Sequence, residues 1–507
     1  MHSAGPAPGA AEPSPAPSSS AAAPSPGPSS NALRVVLGLL LAMLLAALDQ
    51  TLVSIALVSI GRDLDGLALT PWVVSGFLVA STVATPIYGK LSDVYGRRRL
   101  LSIAILLTMT ASVLCAFAQS MPQLIALRVL QGLGSGGLMV LVQSVVADVA
   151  PGPERGRFQG YLSGVFAFAA VAGPVLGGYL THYVSWRAVF WLNLPLGLAA
   201  LLAARRVLPG RGEERRSHRV DYLGAILLAS GLASLMIGLT RMGRGHGLAE
   251  PATLALFGAA ALLLALTALQ ERRAAEPLLP PALLRNGTVV LCCAILGMQF
   301  FVLIGCTVMM PMAMQALSGA GPDAVALRML PLTLGIPCGA FTGGRWLYAT
   351  ASIRPPVVAS GVLAAAGVSF FAVDPAAAGA VQFAGMLTLG FGLGLSMAPA
   401  LVAAQSAVAP REVGVATATV ALFRTLGGAM GIAVLSSIVF AMVGAASARG
   451  EGAGLSGLLA DATGGAGASP ELLLGFRAAF AAAAAVSLTA ALLATRLPRG
   501  VGRHGPG

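Results

Sequence analysis

The sequence predicts an all-α membrane protein of about fourteen spanning helices, and three observations carry that expectation. Of 507 residues, 56% are apolar and only 10% are charged, against roughly 25% charged in soluble globular domains. The apolar residues come in unbroken runs of helix length: residues 101–118 contain no charge. In hydrocarbon every backbone N–H and C=O must be satisfied within the protein, and runs of this kind do so as helices rather than as a barrel of short alternating strands. Finally, the basic residues are distributed unevenly between alternate loops.

Apolar runs of about twenty residues place spans at 35–59, 70–89, 100–118, 122–145, 158–180, 189–204, 222–240, 252–270, 287–313, 324–344, 356–373, 379–404, 415–444 and 473–495. The first six, within 34–206, and the last six, within 287–496, form two expected six-helix bundles. Between them, 207–286 holds two extra spans and cytoplasmic linkers, including the Arg-rich stretch from Arg205 to Asp221. Residues 1–33 are an Ala/Pro/Ser/Gly tail with no charged n-region and no apolar core, expected to be a disordered cytoplasmic tail and not a signal peptide. Residues 497–507 are a second, short tail.

With both termini on one side, that side carries 22 of the 31 Lys and Arg residues, among them Lys90, Arg97, Arg98 and Arg99. The other side has Arg62, Arg187, Arg241, Arg244 and Arg449, while Arg128, Arg328, Arg424 and Arg477 fall within or at the edges of spans. The positive-inside rule then sets both termini in the cytoplasm with an even number of spans. The net charge of +12 reports topology, and nucleic acid drops out as a partner. Lys90 is the single lysine and alanine is abundant, which points to a GC-rich bacterial genome and a multi-pass protein of its plasma membrane.

Cys115, Cys292, Cys293, Cys306 and Cys338 all fall in spans, with no disulfide or metal spacing. His2, His182, His218, His246 and His504 lie in loops or tails, leaving no histidine relay within the membrane. No nucleotide-binding loop, metal cluster or nucleophile constellation is present, so no cofactor, no metal and no enzyme activity are expected, and direct ATP drive is excluded.

Charge inside a membrane is costly and therefore marks function. Asp49 alone among the 19 acidic residues sits deep in a span, roughly 15 Å from its outer end at 1.5 Å per residue. Arg128 lies roughly 10 Å below the same surface, so the two meet if spans one and four pack together. Two readings of the pair stand: static structural charges, or a carboxylate whose protonation is switched by burial and by a nearby guanidinium.

Around these charges run several motifs. After the second span comes Gly89-Lys90-Leu91-Ser92-Asp93-Val94-Tyr95-Gly96-Arg97-Arg98-Arg99, which resembles the cytoplasmic loop signature of the major facilitator superfamily. In span four, Arg128-Val129-Leu130-Gln131-Gly132-Leu133-Gly134 is similar to that superfamily's R-x-x-q-G-x-g element. Gly173-Pro174-Val175-Leu176-Gly177-Gly178, with Gly160 upstream, resembles its antiporter element. Leu48-Asp49-Gln50-Thr51, Trp186-Arg187 with Asn193-Leu194-Pro195-Leu196-Gly197, and Arg424-Thr425-Leu426-Gly427-Gly428 resemble the branch of 14-span drug:proton antiporters. Val58 and Val94 depart from the usual proline and arginine. A degraded copy of the loop signature, Gly344-Arg345-Trp346-Leu347-Tyr348, follows span ten with Tyr348 at the acid's position.

The resemblance implies a major facilitator fold and a monomer that exports amphipathic small molecules such as drugs, antibiotics or toxic cations in exchange for protons, by alternating access. Asp49 and Arg128 would couple protons. Gly89, Asp93, Gly96, Arg97 and Arg98 would gate the cytoplasmic side, with Asp93 set against a helix N-terminus of the other half and clamped by Arg97. Gly160, Gly173, Pro174, Gly177 and Gly178 would lie where the halves meet and favour exchange. Gln50, Gln131, Asn193, Gln299 and Phe300 are polar or aromatic at mid-membrane depth and are candidates to touch substrate, together with Met298, Met309 and Met310. Two other functions compete: a dedicated exporter of one endogenous metabolite, and a non-transporting membrane receptor, which the lack of any signalling domain disfavours.

Overall fold

The computed structural model describes residue 2 and residues 30–65, 69–149, 152–207, 221–243, 250–274, 281–318, 325, 327–375, 379–448 and 470–500. These residues are almost wholly helical. The N-terminal group comprises α1 (Ser30–Asp63), α2 (Thr70–Tyr95), α3 (Arg97–Ala116), α4 (Met121–Val149), α5 (Gly152–Tyr183), short α6 (Arg187–Trp191) and α7 (Asn193–Val207). Then come α8 (Tyr222–Gly243) and α9 (Pro251–Glu271). The C-terminal group is α10 (Pro281–Arg285), α11 (Gly287–Ser318), α12 (Leu330–Thr350), α13 (Arg354–Val373), α14 (Gly379–Leu395), α15 (Met397–Ser406), α16 (Val413–Ala448) and α17 (Pro470–Ala494).

Among the described residues, eleven helices are long and apolar enough by themselves to cross a membrane. The three remaining expected spans coincide with α1, whose apolar stretch is Gly38–Val53, with α5 and with α12. α5 begins with Glu154, Arg155 and Arg157 and is dense in glycine, and α12 carries Arg345 among threonines and glycines. Hydropathy therefore counts eleven, while packing puts the other three in the same bundles.

The two groups repeat one packing plan. α1 lies along α5 as α11 lies along α16, and α2 along α4 as α12 lies along α14. Glycines make these approaches possible: an added Cβ would come within 2.4 Å of the Phe77 carbonyl at Gly132, 2.0 Å of the Gly297 carbonyl at Gly427, and 2.1 Å of the Phe301 carbonyl at Gly431. Close backbone approach through small residues is how membrane helices gain van der Waals contact where lipid offers no hydrophobic drive. The helix ends follow local chemistry. Asn286 caps α11 by accepting from the N–H groups of Thr288 and Val289 at 3.1 and 3.3 Å.

The extra helices α8 and α9 form a hairpin clasped at both ends, by Arg241 to Glu250 at 2.8 Å and by Gln270 to Asp221 at 3.2 Å. Leu228 and Leu232 of α8 and Leu264 of α9 pack with Val83 of α2 and with Leu422 and Leu426 of α16. Central in the chain, the hairpin is peripheral in space, lying across the seam between the two groups.

Candidate functional site

Asp49 and Arg128 meet. The Arg128 Nη1 donates to Asp49 Oδ2 at 2.7 Å, with the two residues 0% and 1% exposed. Gly132 and Gly136 let α4 press against α2, and Gly134 lets it press against α3, which turns Arg128 and Gln131 inward toward α1. Two further donors complete the carboxylate: Gln131 Nε2 at 2.8 Å and Asn193 Nδ2 at 2.7 Å, both on Oδ1. Asn193 also donates to Ser112 Oγ at 2.9 Å, and Ser112 in turn to the Phe190 carbonyl at 2.9 Å. Arg128 donates again to Gln131 Oε1 at 2.7 Å, and its guanidinium lies 4.2 Å from the centroid of the Phe77 ring. One buried carboxylate thus ties together α1, α2, α3, α4, α6 and α7.

Three donors and no competing acceptor converge on Asp49, an arrangement that suits an ionised carboxylate with its several lone pairs. Breaking such a pair on one side leaves an uncompensated buried charge.

The other expected site residues fall in several places. Gln131 and Asn193, expected to touch substrate, are fully buried partners of Asp49. Gln50 is exposed one residue further along α1. Gln299 is 2% exposed, donating to Ser360 at 3.1 Å with its Oε1 unpartnered. Phe300 is overlaid by the Arg424 guanidinium, 4.1 Å from its centroid.

Gly173 lies against Thr51 of α1, whose Oγ1 an added Cβ would meet at 2.0 Å, so this part of the antiporter element packs within its own bundle, two residues from Asp49, and not where the halves meet. Thr51 Oγ1 also lies 3.3 Å from the Ala169 carbonyl of α5, within hydrogen-bonding reach, beside the Leu48 carbonyl of its own helix at 3.0 Å. Gly160 does face the other bundle, with Phe341 of α12 at 3.2 Å. An added Cβ at Gly178 would meet nothing within 4 Å outside its own helix, Gly177 is buried, and the side chain of Pro174 lies outside the described residues.

In the loop signature, Gly89 sits on the other bundle: a Cβ there would be 2.4 Å from Ala418 Cβ and 2.9 Å from the Gly414 carbonyl, at the start of α16. Gly96 adopts φ 86° between α2 and α3. Arg97 pairs with Asp148 at the end of α4 and donates to Ser92 Oγ at 3.0 Å. Arg98 is half-buried, and its carbonyl accepts from Ser102. The side chain of Asp93 lies outside the described residues; its backbone is one turn beyond Gly89, on the basic face where α16 begins.

Sequence reasoning missed Ser112, Asp63 and Asp148. Ser112 is one of four hydroxyl residues in its span, with Ser102, Thr108 and Thr110, and nothing in the sequence singles it out. Asp63 accepts from the Trp186 indole at 2.9 Å and from Arg187 at 2.7 Å, so the Trp186-Arg187 pair clasps the far end of α1. That indole bond, then the Arg187 guanidinium, hold the Asp63 carboxyl below its ordinary range.

Helix bundles repeated in one chain, related by a common packing plan and holding a charge network at mid-depth, define a multi-pass membrane transporter. The chain belongs to the Major Facilitator Superfamily, whose model matches residues 39–432. It is 31% identical over 81% of its length to the multidrug transporter protein MdtP of Bacillus subtilis, covering 76% of that protein. It is 31% identical to multidrug resistance protein 3 of the same organism, over 80% of this chain and 79% of the relative. The puromycin resistance protein pur8 of Streptomyces alboniger is 31% identical over 79% of this chain and 80% of its own. In fold it resembles the human organic anion transporter MFSD10, with TM-score 0.63 at 18% identity over 91% of this chain and 99% of that one. It also resembles the proton:xylose symporter XylE, with TM-score 0.61 at 17% identity over 93% and 97%.

Proposed function

We propose that this transporter is a proton-coupled antiporter that exports amphipathic small molecules such as drugs, antibiotics or toxic cations across a bacterial plasma membrane, with both termini in the cytoplasm. The observation that carries the reading is the Asp49 cage: a single deep carboxylate, sealed on both sides and held by Arg128, Gln131 and Asn193. The multidrug and antibiotic-resistance names of its relatives supply the cargo class.

In the mechanism, Asp49 is the proton carrier. With Arg128 in contact the carboxylate is favoured and its proton leaves toward the cytoplasm. When the helices shift and Arg128 withdraws, desolvation favours the neutral acid and a proton from outside rebinds. The contacts of Gly89 with Ala418 and Gly414 and of Gly160 with Phe341 close the basic face, and Asp93 would strengthen that closure from its place beside the start of α16.

The test is substrate-induced proton release in reconstituted vesicles. Asp49→Asn mimics the protonated acid permanently and should abolish efflux driven by a pH gradient while still binding substrate. Undiminished proton release by the variant, or wild-type transport indifferent to a collapsed gradient, would overturn the assignment.

A further inference from the structure

The C-terminal bundle holds a charge that the coupling mechanism does not use. Arg424 lies eleven residues after the first of α16, a third of the way along it, and is half-buried. It sits a half-turn round the helix from Leu422 and Leu426, which meet the outer hairpin. Its side chain therefore lies on the opposite, inward side, over Phe300 of α11. α16 is also the helix of this bundle that touches α2 and α4 of the other, so Arg424 is placed where cargo passing between the bundles would meet it.

Arg128 and Arg424 are both arginines at mid-membrane depth, yet their surroundings differ. Arg128 has a carboxylate, an amide oxygen and an aromatic face. Arg424 has the aromatic face alone: among the described residues nothing accepts a hydrogen bond from it and no acid pairs with it. The sequence explains why. The acids from position 287 onward are Asp323, Asp374, Glu412, Glu451, Asp461 and Glu471, and none lies in the middle of a span. Asp49, the one deep acid, is already committed to three donors.

A guanidinium held in a membrane protein without a counter-ion is costly unless something anionic joins it. Its planar fork presents donors in pairs that match a carboxylate, sulfonate or phosphate oxygen pair, and the ring of Phe300 fixes its plane by cation–π contact.

We propose that Arg424, laid on Phe300, anchors an anionic group of the transported molecule, so that this protein takes acidic or zwitterionic amphiphiles and not only cationic ones. The inference rests on the export reading above and refines its cargo.

Equilibrium dialysis against the protein in nanodiscs, with empty nanodiscs subtracted, would compare pyrenebutyrate with its methyl ester. Wild type should bind the carboxylate more tightly, by about tenfold. Arg424→Gln should erase that preference while leaving ester binding unchanged, and Arg424→Lys, which keeps the charge but not the fork, should retain part of it. Equal wild-type affinity for the two probes would overturn the proposal, even where the variant fails to fold. So would an equal loss of both in Arg424→Gln, which indicates a packing role. Vesicle transport of the ester separates the two readings: if wild type moves the ester but shows no carboxylate preference, export stands and the anionic subsite falls. If the carboxylate preference is present and neither probe moves, the subsite stands and export falls.

Discussion

At the scale of single residues, the same pairing of carboxylate with arginine does different work at two depths. Asp49 is fully enclosed, and its donors come from two other helices, Arg128 and Gln131 from α4 and Asn193 from α7. Asp63 is half-exposed at the end of α1, where its partners Trp186 and Arg187 are also part of a recognisable motif. Because the indole and the guanidinium depress the Asp63 carboxyl, its contribution to stability is present above the ordinary aspartate value of about 4. That contribution is lost as pH falls through the lowered native value. Solvent screening limits it to at most about 1 kcal/mol. The unfolding free energies of wild type and Asp63→Asn, read from thermal denaturation in detergent, should therefore differ by a few tenths of a kcal/mol to about 1 kcal/mol near neutrality. The difference should shrink as pH falls below the ordinary aspartate value and vanish once pH is below the lowered native one. A gap that widened on acidification would mean that Asp63 is not held as an ion.

At the scale of elements, the loop signature and its degraded copy can be compared turn for turn. Gly96 ends α2 seven residues after Gly89, its N–H bonded to the Ser92 carbonyl at 3.1 Å. Ala351 ends α12 seven residues after Gly344, its N–H bonded to the Leu347 carbonyl at 2.8 Å. The turn survives although the acid and the glycine do not. Gly96 has φ 86° and ψ 139°, a conformation open almost solely to glycine, whereas Ala351 at φ 51° and ψ 22° is in the left-handed helical region that other residues reach at modest cost. Gly96→Ala should thus destabilise by about 1–3 kcal/mol. Ala351→Gly should be within about 0.5 kcal/mol of neutral, since relief of left-handed strain is offset by the flexibility of unfolded glycine. Thermal denaturation of the two variants checks this, and equal losses would remove the distinction. This comparison also marks what the sequence made legible. Spacing announced the turns, the glycines, the helices and the one deep acid. It did not announce that Gln131 and Asn193 close on Asp49 from 82 and 144 residues away, because side chains on different helices converge only through packing. Nor did it place Gly173 against Thr51: glycine shows that something approaches closely, but not which helix approaches.

At the scale of the whole molecule, a carrier must hold two bundles together on one face and let them part. Two of the contacts that do this run through glycines. Gly89 of α2 faces Ala418 and Gly414 of α16, and Gly160 of α5 faces Phe341 of α12. The α8–α9 hairpin lies across the first of these seams, touching both α2 and α16, so it can follow rocking of the bundles without standing in the path between them. The two arrangements of such an interface are discrete, and a small steric change at the seam shifts their populations by its differential cost. Gly89→Ala supplies that change. The new Cβ would lie 2.4 Å from Ala418 Cβ and 2.9 Å from a backbone oxygen, neither of which can rotate away, so α2 and α16 must separate. Overpacking of this kind costs about 1–3 kcal/mol, enough to shift the balance roughly 5- to 150-fold toward the state open on the basic face. Spin labels at positions 95 and 412 in a cysteine-free background should then show a larger long-distance population, with slower transport. Gly164→Ala on α5, where an added Cβ meets nothing within 4 Å, should change neither. An unaltered distance distribution and normal transport in Gly89→Ala would show that the seam has slack and that closure of the basic face does not depend on this glycine.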